Sequence, residues 1–318
     1  MHHSFKSALW ALSLCCGAAY AAEQPADRSS VAFFTLGAGY LPSPNSHTML
    51  FNYIHNDWDE LTDSHGDTRT DFNKVSSRSR GMAIGYLRVT DKKLFGADYA
   101  YSLVVPFFDV TIDHNLSTPV GDMPIYGKHK DYVGVFVTPL MLQWRDQQTW
   151  QQNFRVNFGL PLVDYDEDNP ANVARDYYSA AAVYHSTYNF LPTWDWSVGA
   201  SYQYNFKNLH DKHPQVMGPD GKYQNGDMLT LNTAIGKSFG LVSLGVSGYW
   251  MQQLRDDTID GVKVQGQTQQ TSGIGPVVSV ALPGKKSFSM LHLKYSKGLH
   301  SEDGVTGDFL NVFLTHTF

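Results

Sequence analysis

Apolar and polar residues alternate with a period of two along most of the chain. The pattern is most regular from Trp194 to Phe206, where aromatic or aliphatic residues take the even positions and small or polar residues the odd ones. A strand places successive side chains on opposite faces, so each such segment predicts one apolar and one polar face. About twelve segments have the roughly 9–11 residues that a tilted membrane strand requires. They lie near 47–58, 78–90, 97–113, 129–145, 150–164, 176–190, 194–208, 226–238, 241–255, 267–282, 286–299 and 306–318.

The links between these segments alternate between short and long. Short links lie near 91–96, 146–149, 191–193, 239–240 and 283–285, and long links near 59–77, 114–128, 165–175, 209–225, 256–266 and 300–305. A soluble sandwich also alternates in polarity, but short periplasmic turns and long extracellular loops are typical of outer-membrane barrels. The sequence therefore predicts an all-β fold, a transmembrane antiparallel up-and-down β-barrel of about twelve strands, with ten or fourteen as the bounds.

The two ends of the chain agree with export to the outer membrane. Residues 1–21 combine one lysine, an apolar stretch and the sequence Ala19-Tyr20-Ala21, which predicts a secretory signal peptide cleaved near Ala21. Residues 22–46 then form either a periplasmic tail or a plug in the lumen, and residues 47–318 form the barrel. The last strand ends on Phe318, which we interpret as an assembly signal at the periplasmic interface. The expected location is the cell outer membrane of a Gram-negative bacterium.

Composition narrows the class of protein further. The chain is 42% apolar with a mean hydropathy of −0.30, and after residue 21 it has no apolar run long enough for a membrane helix. Aromatic residues make up 14%, which suits the aromatic girdles of a barrel. The formal charge of −6 comes without a basic patch, so nucleic acid is not an expected partner.

Catalytic and metal-binding patterns are not recognisable. The thirteen histidines are scattered without an HExxH motif, and both cysteines lie inside the signal peptide, so we expect no metal site and no cofactor. A lipid hydrolase would need a serine and a histidine together on outward faces. His292 and His316 lie on different strands, and the sequence shows no serine aligned with either, so the protein is not expected to be an enzyme.

Four prolines interrupt predicted strands: Pro106, Pro139, Pro161 and Pro276. Proline cannot donate to a strand ladder, and a closed barrel has no edge strand, so each proline predicts a bulge or an interruption. Three of them fall on the third, fourth and fifth strands. They predict either ordinary bulges that curve the sheet or a kinked wall with a lateral opening between lumen and membrane.

Polar residues on the inward faces are the candidates for ligand contact. Charged side chains at membrane depth are costly on the lipid face and should point inward. The predicted lumen-facing candidates are Arg155, Asn157, Gln203, Asn205, Asn232, Tyr249, His292 and Lys294. The alternative role for them is structural, as hydrogen bonds and ion pairs that fill a narrow barrel.

Several short motifs in the second half occur in the order of a known family. They are GY-x-x-QQL-x-x-D, IGP, LKY, and GD before an apolar last strand, with GAGYLPSP and LFGADYAYSLVVPF upstream. In these motifs the chain resembles the MetA pathway of phenol degradation family of outer-membrane proteins, which includes sphingosine-inducible porin-like members. Residues 114–130 cannot be placed against it.

The resemblance implies a channel for uptake of small hydrophobic or amphipathic molecules of the aromatic hydrocarbon, fatty acid or sphingoid type. The alternatives are a barrel hydrolase acting on lipid, or a structural or adhesive barrel without transport. Expected partners are outer-membrane lipid, the barrel-assembly machinery through the C-terminal strand, and a small hydrophobic molecule. The barrel is expected to be a monomer.

Overall fold

The computed structural model describes residues 29–146, 149–166, 168–211, 221–264 and 268–318. The predicted signal peptide and its cleavage near Ala21 lie outside the described residues, as do residues 22–28. The elements in chain order are α1 (Ser29–Ala32), β1 (Ser46–Leu61), β2 (Phe72–Lys74), β3 (Ser77–Leu94), β4 (Ala97–Thr118), β5 (Gly121–Tyr132), β6 (Val135–Asp146), β7 (Trp150–Leu160), β8 (Ser179–Leu191), β9 (Trp194–Asn205), β10 (Tyr223–Gln224), β11 (Met228–Phe239), β12 (Val242–Gln253), β13 (Thr258–Ile259), β14 (Val262–Lys263), β15 (Gln270–Pro283), β16 (Phe288–Glu302) and β17 (Val305–Thr317).

Twelve of these strands close into one antiparallel barrel. Each strand pairs with its neighbour around the ring, in the order β4-β3-β1-β17-β16-β15-β12-β11-β9-β8-β7-β6, and β6 pairs again with β4. The first and last strands form a long ladder that runs from Thr48 opposite Thr317 to Leu61 opposite Val305. The predicted twelve-stranded up-and-down barrel is confirmed. None of the helices in the described residues is long and apolar enough to cross a membrane.

The two faces of the strands divide as the alternation predicts. On β9, Ser197 and Asn205 are completely buried inside the barrel, whereas Trp196 and Tyr202 are exposed on the outside. On β17, the Asn311 side chain is 0% exposed and its neighbour Leu310 is 40% exposed. A polar interior and an apolar exterior are the reverse of a soluble protein and are what a barrel in lipid requires.

The third and fourth strands depart from their predicted bounds. The expected loop 114–128 is instead a hairpin, because β4 continues to Thr118 and pairs with β5 from Gly121 to Tyr132. The fourth barrel strand begins at Val135 and not near residue 129. Between β5 and β6 the chain turns at Gly134, whose φ of 135° and distance of 2.4 Å from its ideal Cβ to the Leu160 carbonyl oxygen exclude a side chain.

The extracellular links also include one correction. The link predicted as long near 300–305 is a two-residue turn between Glu302 and Val305, since both flanking strands extend beyond the expected depth. Two longer links, which follow β9 and β12, are joined to each other by a small sheet of β10, β13 and β14. This sheet fixes one side of the extracellular mouth.

Candidate functional site: a divided barrel lumen

Residues 29–45, the inner segment, enter the barrel and lead to β1 through residues 43–45, which are exposed. Phe34 is fully buried with its ring edge-on to His185 at 5.2 Å, and Val31 packs against Met228 and Met251. Three backbone N–H groups of the segment donate hydrogen bonds to side chains of the wall. Gly37 donates to Ser197 Oγ (3.1 Å), Gly39 to Thr187 Oγ1 (2.8 Å) and Leu41 to Gln143 Oε1 (2.8 Å). These contacts fix the segment against β6, β8 and β9.

Lys294 attaches the other side of the inner segment. Its ammonium group is buried and donates to the carbonyl oxygens of Val31 at 2.7 Å and Phe34 at 3.1 Å. The same group lies 5.8 Å from the centre of the Phe309 ring. A buried cation is tolerated when it is hydrogen-bonded. The two carbonyl oxygens therefore stabilise the Lys294 ammonium group, and the same bonds attach the segment to the wall.

The part of the lumen that the inner segment leaves empty is a cavity of about 950 Å³. Its walls are mainly the inner faces of β1, β3, β4, β6, β7, β16 and β17, and residues 172–175 contribute to the lining. Apolar side chains such as Val104, Phe136 and Phe313 line much of it, with a small number of polar groups. A mostly apolar cavity with a few placed polar groups has the character of a small-molecule site.

Arg155 is a polar group of particular interest in this cavity. One of its terminal nitrogens donates to Asn153 Oδ1 at 3.1 Å and to His185 Nδ1 at 2.6 Å. Arginine can only donate, so Nδ1 of His185 accepts this bond. The Nε of Arg155 has no hydrogen-bond partner. One rung further along, Thr138 donates to Asn157 Oδ1 at 2.9 Å.

Residues 58–312 match the model of the family described as MetA-pathway of phenol degradation. The chain belongs to this family. The match confirms the resemblance carried by the sequence motifs and covers the barrel almost from end to end. No curated protein matches the chain.

Two solved structures have a fold similar to that of this chain. The COG4313 outer membrane channel from Pseudomonas putida F1 is similar with a TM-score of 0.72 at 14% identity, over 90% of this chain and 100% of that one. The beta domain of the Bordetella autotransporter BrkA is similar with a TM-score of 0.50 at 14% identity, over 86% of this chain and 100% of that one. Both likenesses show an outer-membrane barrel fold.

The structure brings three of the eight lumen-facing candidates to the cavity. Arg155, Asn157 and His292 line it. The remaining five point into the barrel but lie away from the cavity lining: Gln203, Asn205, Asn232, Tyr249 and Lys294. Asn205 donates to the Gly226 carbonyl at 2.9 Å, and Tyr249 packs beside Val31. A role in ligand contact stays a prediction for all eight.

Two of the predicted kink prolines, Pro106 and Pro139, lie where strand pairing changes. At Pro106 strand β4 changes partner, from β6 at Val104 to β5 at Phe107, and Pro106 also lines the cavity. Pro139 falls in the register shift between Val137 and Leu140.

The other two prolines, Pro161 and Pro276, do not change the pairing of the strands in this way. Strand β7 ends at Leu160, so Pro161 lies outside it and does not interrupt a strand as predicted. Pro276 falls in a gap of the β15–β16 ladder between Ile274 and Val277, where the register stays the same. The choice between curvature and a lateral opening stays a prediction.

Two serine–histidine pairs correct the sequence reading. Ser279 Oγ lies 2.7 Å from His292 Nδ1, and Ser289 Oγ lies 2.8 Å from His316 Nδ1. The expectation that no serine aligns with these histidines was wrong, because the register places each pair directly opposite on neighbouring strands. The first pair is buried inside the barrel, and the second lies on the outer face near the chain terminus.

Some cavity residues could not be found from the sequence. Arg175 lines the cavity, and its guanidinium lies 5.8 Å from the centre of the Phe136 ring. It belongs to the predicted link 165–175, for which alternation gives no inward or outward face. Asp195 lines it from β9 and accepts from Ser197 Oγ at 3.5 Å. The only sequence signal for Asp195 is its odd position in the alternation of β9, which places it on the inner face.

Proposed function

We propose that the protein is an outer-membrane channel for uptake of small hydrophobic or amphipathic molecules of the aromatic hydrocarbon, fatty acid or sphingoid type. The cavity between the inner segment and the wall of β1, β3 and β4 carries this proposal. Its volume of about 950 Å³ lies at the upper end of the roughly 300–1,000 Å³ that small-molecule sites occupy. The barrel fold shared with an outer membrane channel supports it.

The inner segment acts in this proposal as a plug. Twelve-stranded barrels are too narrow for a wide aqueous channel, and the segment occupies part of the lumen that remains. A hydrophobic molecule gains from an apolar wall and not from a water-filled pore. The irregular wall at Pro106, which lines the cavity, is the proposed place for a lateral opening.

The outer surface and the chain end complete the proposal. The exposed apolar belt, which includes Trp196 and Leu310, faces outer-membrane lipid. The half-exposed ring of Phe318 stacks on His47 at 5.8 Å, where the last strand pairs with the first. We infer that this terminal strand is presented to the barrel-assembly machinery and that the protein works as a monomer in the outer membrane.

Growth of a deletion strain tests the uptake function. Strains with and without the gene should be grown on aromatic, fatty-acid and sphingoid compounds as single carbon sources at limiting concentration. We expect slower growth of the deletion strain on at least one class, restored by the plasmid-borne gene. Equal uptake of every compound by both strains would favour a structural barrel without transport.

The outward pair Ser289 and His316 makes a lipid hydrolase the second candidate. Serine hydrolysis needs a histidine that takes the hydroxyl proton and a further group that orients its ring. We expect the purified protein and its Ser289→Ala variant to show the same background rate with a chromogenic phospholipid. Turnover that a serine reagent and Ser289→Ala both abolish would replace the channel proposal.

A further inference from the structure

Arg155 carries a charge that the barrel leaves without an opposite partner. Within the described residues its hydrogen bonds go to the uncharged Asn153 amide and to a histidine nitrogen, and Nε bonds to nothing. Arginine keeps its proton in proteins, so the charge is permanent. An interior charge without a counter-charge is unfavourable, and binding an anion would compensate it.

Arg145, a second arginine of the lumen wall, shows what a purely structural arrangement is like. Its Nε donates to Asp98 Oδ2 at 2.8 Å, and one terminal nitrogen donates to the carbonyl oxygens of Leu41 and Pro42. That guanidinium is paired with a carboxylate and anchors the inner segment. Arg155 has no such pairing in the described chain, although both arginines line the same cavity.

The surroundings of Arg155 suit the head of an amphiphile. Going up the wall from Arg155, the next inward groups are the polar Asn157 and then the Phe136 ring opposite Gly159. Two strands away from β7 on the same wall, β4 presents an apolar row of inward side chains: Val104, Pro106, Phe108, Val110 and Ile112. A polar end at Arg155 and an apolar body along β4 could therefore be satisfied together.

The acidic group of the cavity does not favour a cationic ligand equally. Asp195 accepts a hydrogen bond from Ser197 Oγ at 3.5 Å, so its own strand already supplies a donor to it. Among the described cavity residues, Arg155 has a donor nitrogen without a hydrogen-bond partner, whereas Asp195 already accepts from Ser197. Charge recognition therefore points to an anion.

We propose that the cavity binds a hydrophobic carboxylate and that Arg155 holds its head. The guanidinium presents a planar fork of N–H groups that matches a carboxylate in geometry. The inference rests on the proposed uptake function and selects one class among its substrates. It distinguishes carboxylates from uncharged hydrocarbons and from sphingoid amines. Fatty acids and aromatic acids share this chemistry.

Three probes with the same tail and different heads test the proposal. Binding of decanoate, decanol and decylamine to the purified full-length barrel should be measured by calorimetry at pH 7.5, with hydrocinnamate as the aromatic carboxylate. We expect decanoate to bind at least about tenfold more tightly than decanol, since each factor of ten needs only ~1.4 kcal/mol. Hydrocinnamate and decanoate are then compared to decide between aromatic and fatty acids.

Substitutions at Arg155 assign the effect to the guanidinium. Arg155→Gln should reduce decanoate affinity to that of decanol and leave decanol binding unchanged, and Arg155→Lys should retain part of the preference. Arg80→Gln is the matched control, because Arg80 is exposed on the outer face of β3. Retained heat-modifiable migration in gels shows that each variant is folded.

The outcomes separate this inference from the uptake function. Equal wild-type affinities for decanoate and decanol, tightest binding of decylamine, or an unchanged preference in both Arg155 variants would overturn the carboxylate proposal. Equal affinities for decanoate and decanol, or tightest binding of decylamine, would still be consistent with a channel for hydrophobic ligands. No binding of any probe together with unimpaired growth of the deletion strain would instead remove the proposed function itself.

Discussion

Replacing Gly39 with valine should detach the inner segment from the barrel wall and raise the single-channel conductance severalfold. An ideal Cβ on Gly39 would lie 2.4 Å from the Thr187 backbone nitrogen and 2.5 Å from the Gln151 carbonyl oxygen. Both are backbone atoms, and the two residues are cross-strand partners in the β7–β8 ladder. Since the ladder cannot separate without losing its hydrogen bonds, the inner segment must move instead.

The displacement would also remove polar contacts. Gly39 donates its N–H to Thr187 Oγ1 at 2.8 Å, and the neighbouring Ala38 carbonyl accepts from Asn153 at 2.9 Å. Such bonds contribute about 0.5–1.5 kcal/mol each, and overpacking adds a penalty of roughly 1–3 kcal/mol. Together these changes are comparable with the stability of a short segment held by a handful of contacts.

Planar-bilayer recordings of the purified variant measure this effect. Gly248→Ala is the matched control, because the nearest atom to its ideal Cβ is at an ordinary distance of 3.5 Å. Its conductance should equal that of the wild type. A Gly39→Val barrel that migrates as folded in gels and yet conducts like the control would contradict the role of the inner segment as a plug.

The strand pattern could be predicted because a barrel strand faces two contrasting media throughout its length. In β17 this places Leu310 toward lipid and Asn311 toward the interior, and no tertiary contact is needed to see it. The β5 strand was missed because it carries Pro124 and several charged residues and lies beyond the alternating core of the barrel. Strand bounds outside the bilayer depend on pairing with β4, which a single sequence does not reveal.

The cavity was only partly predictable for a related reason. Alternation places Arg155, Gln203 and Lys294 all on the inner face. Alternation does not predict which side of the lumen the inner segment fills. The position of the segment decides which of these three side chains line the cavity. Gly37 and Gly39 in the segment signal close backbone approach, but the Thr187 partner is 148 residues away and is visible only in the fold.

Replacing Asp257 with alanine should loosen the extracellular links that follow β9 and β12. The Asp257 carboxylate is almost fully buried and accepts from the Tyr223 hydroxyl, from Gly226 N at 2.7 Å and from Gln253 Nε2 at 2.7 Å. Alanine removes the acceptor that these three donors share, and a buried donor that loses its acceptor, such as the Gly226 N–H, costs about 1–3 kcal/mol. Faster hydrogen exchange of residues 221–227 is the expected result, with the barrel strands unchanged.

The same carboxyl gives these links a pH dependence of defined sign. Burial raises the pKa of Asp257 from its ordinary 3.8 to about 6, against the lowering effect of its hydrogen bonds to Tyr223 and Gly226. The folded links therefore bind a proton that the opened links release between these two pH values. Their stability falls as pH rises through this window, and the loss is complete above about pH 6.

Asp257→Asn separates the charge from the contacts. Its carbonyl oxygen can accept from Gly226 and Gln253, and its amide can donate to the Tyr223 hydroxyl oxygen. We expect exchange in residues 221–227 to be slow in this variant and equal at pH 5 and pH 7 after correction for the intrinsic rate, whereas the wild type exchanges faster at pH 7. A wild-type protein without that difference would show that Asp257 does not control the opening of these links.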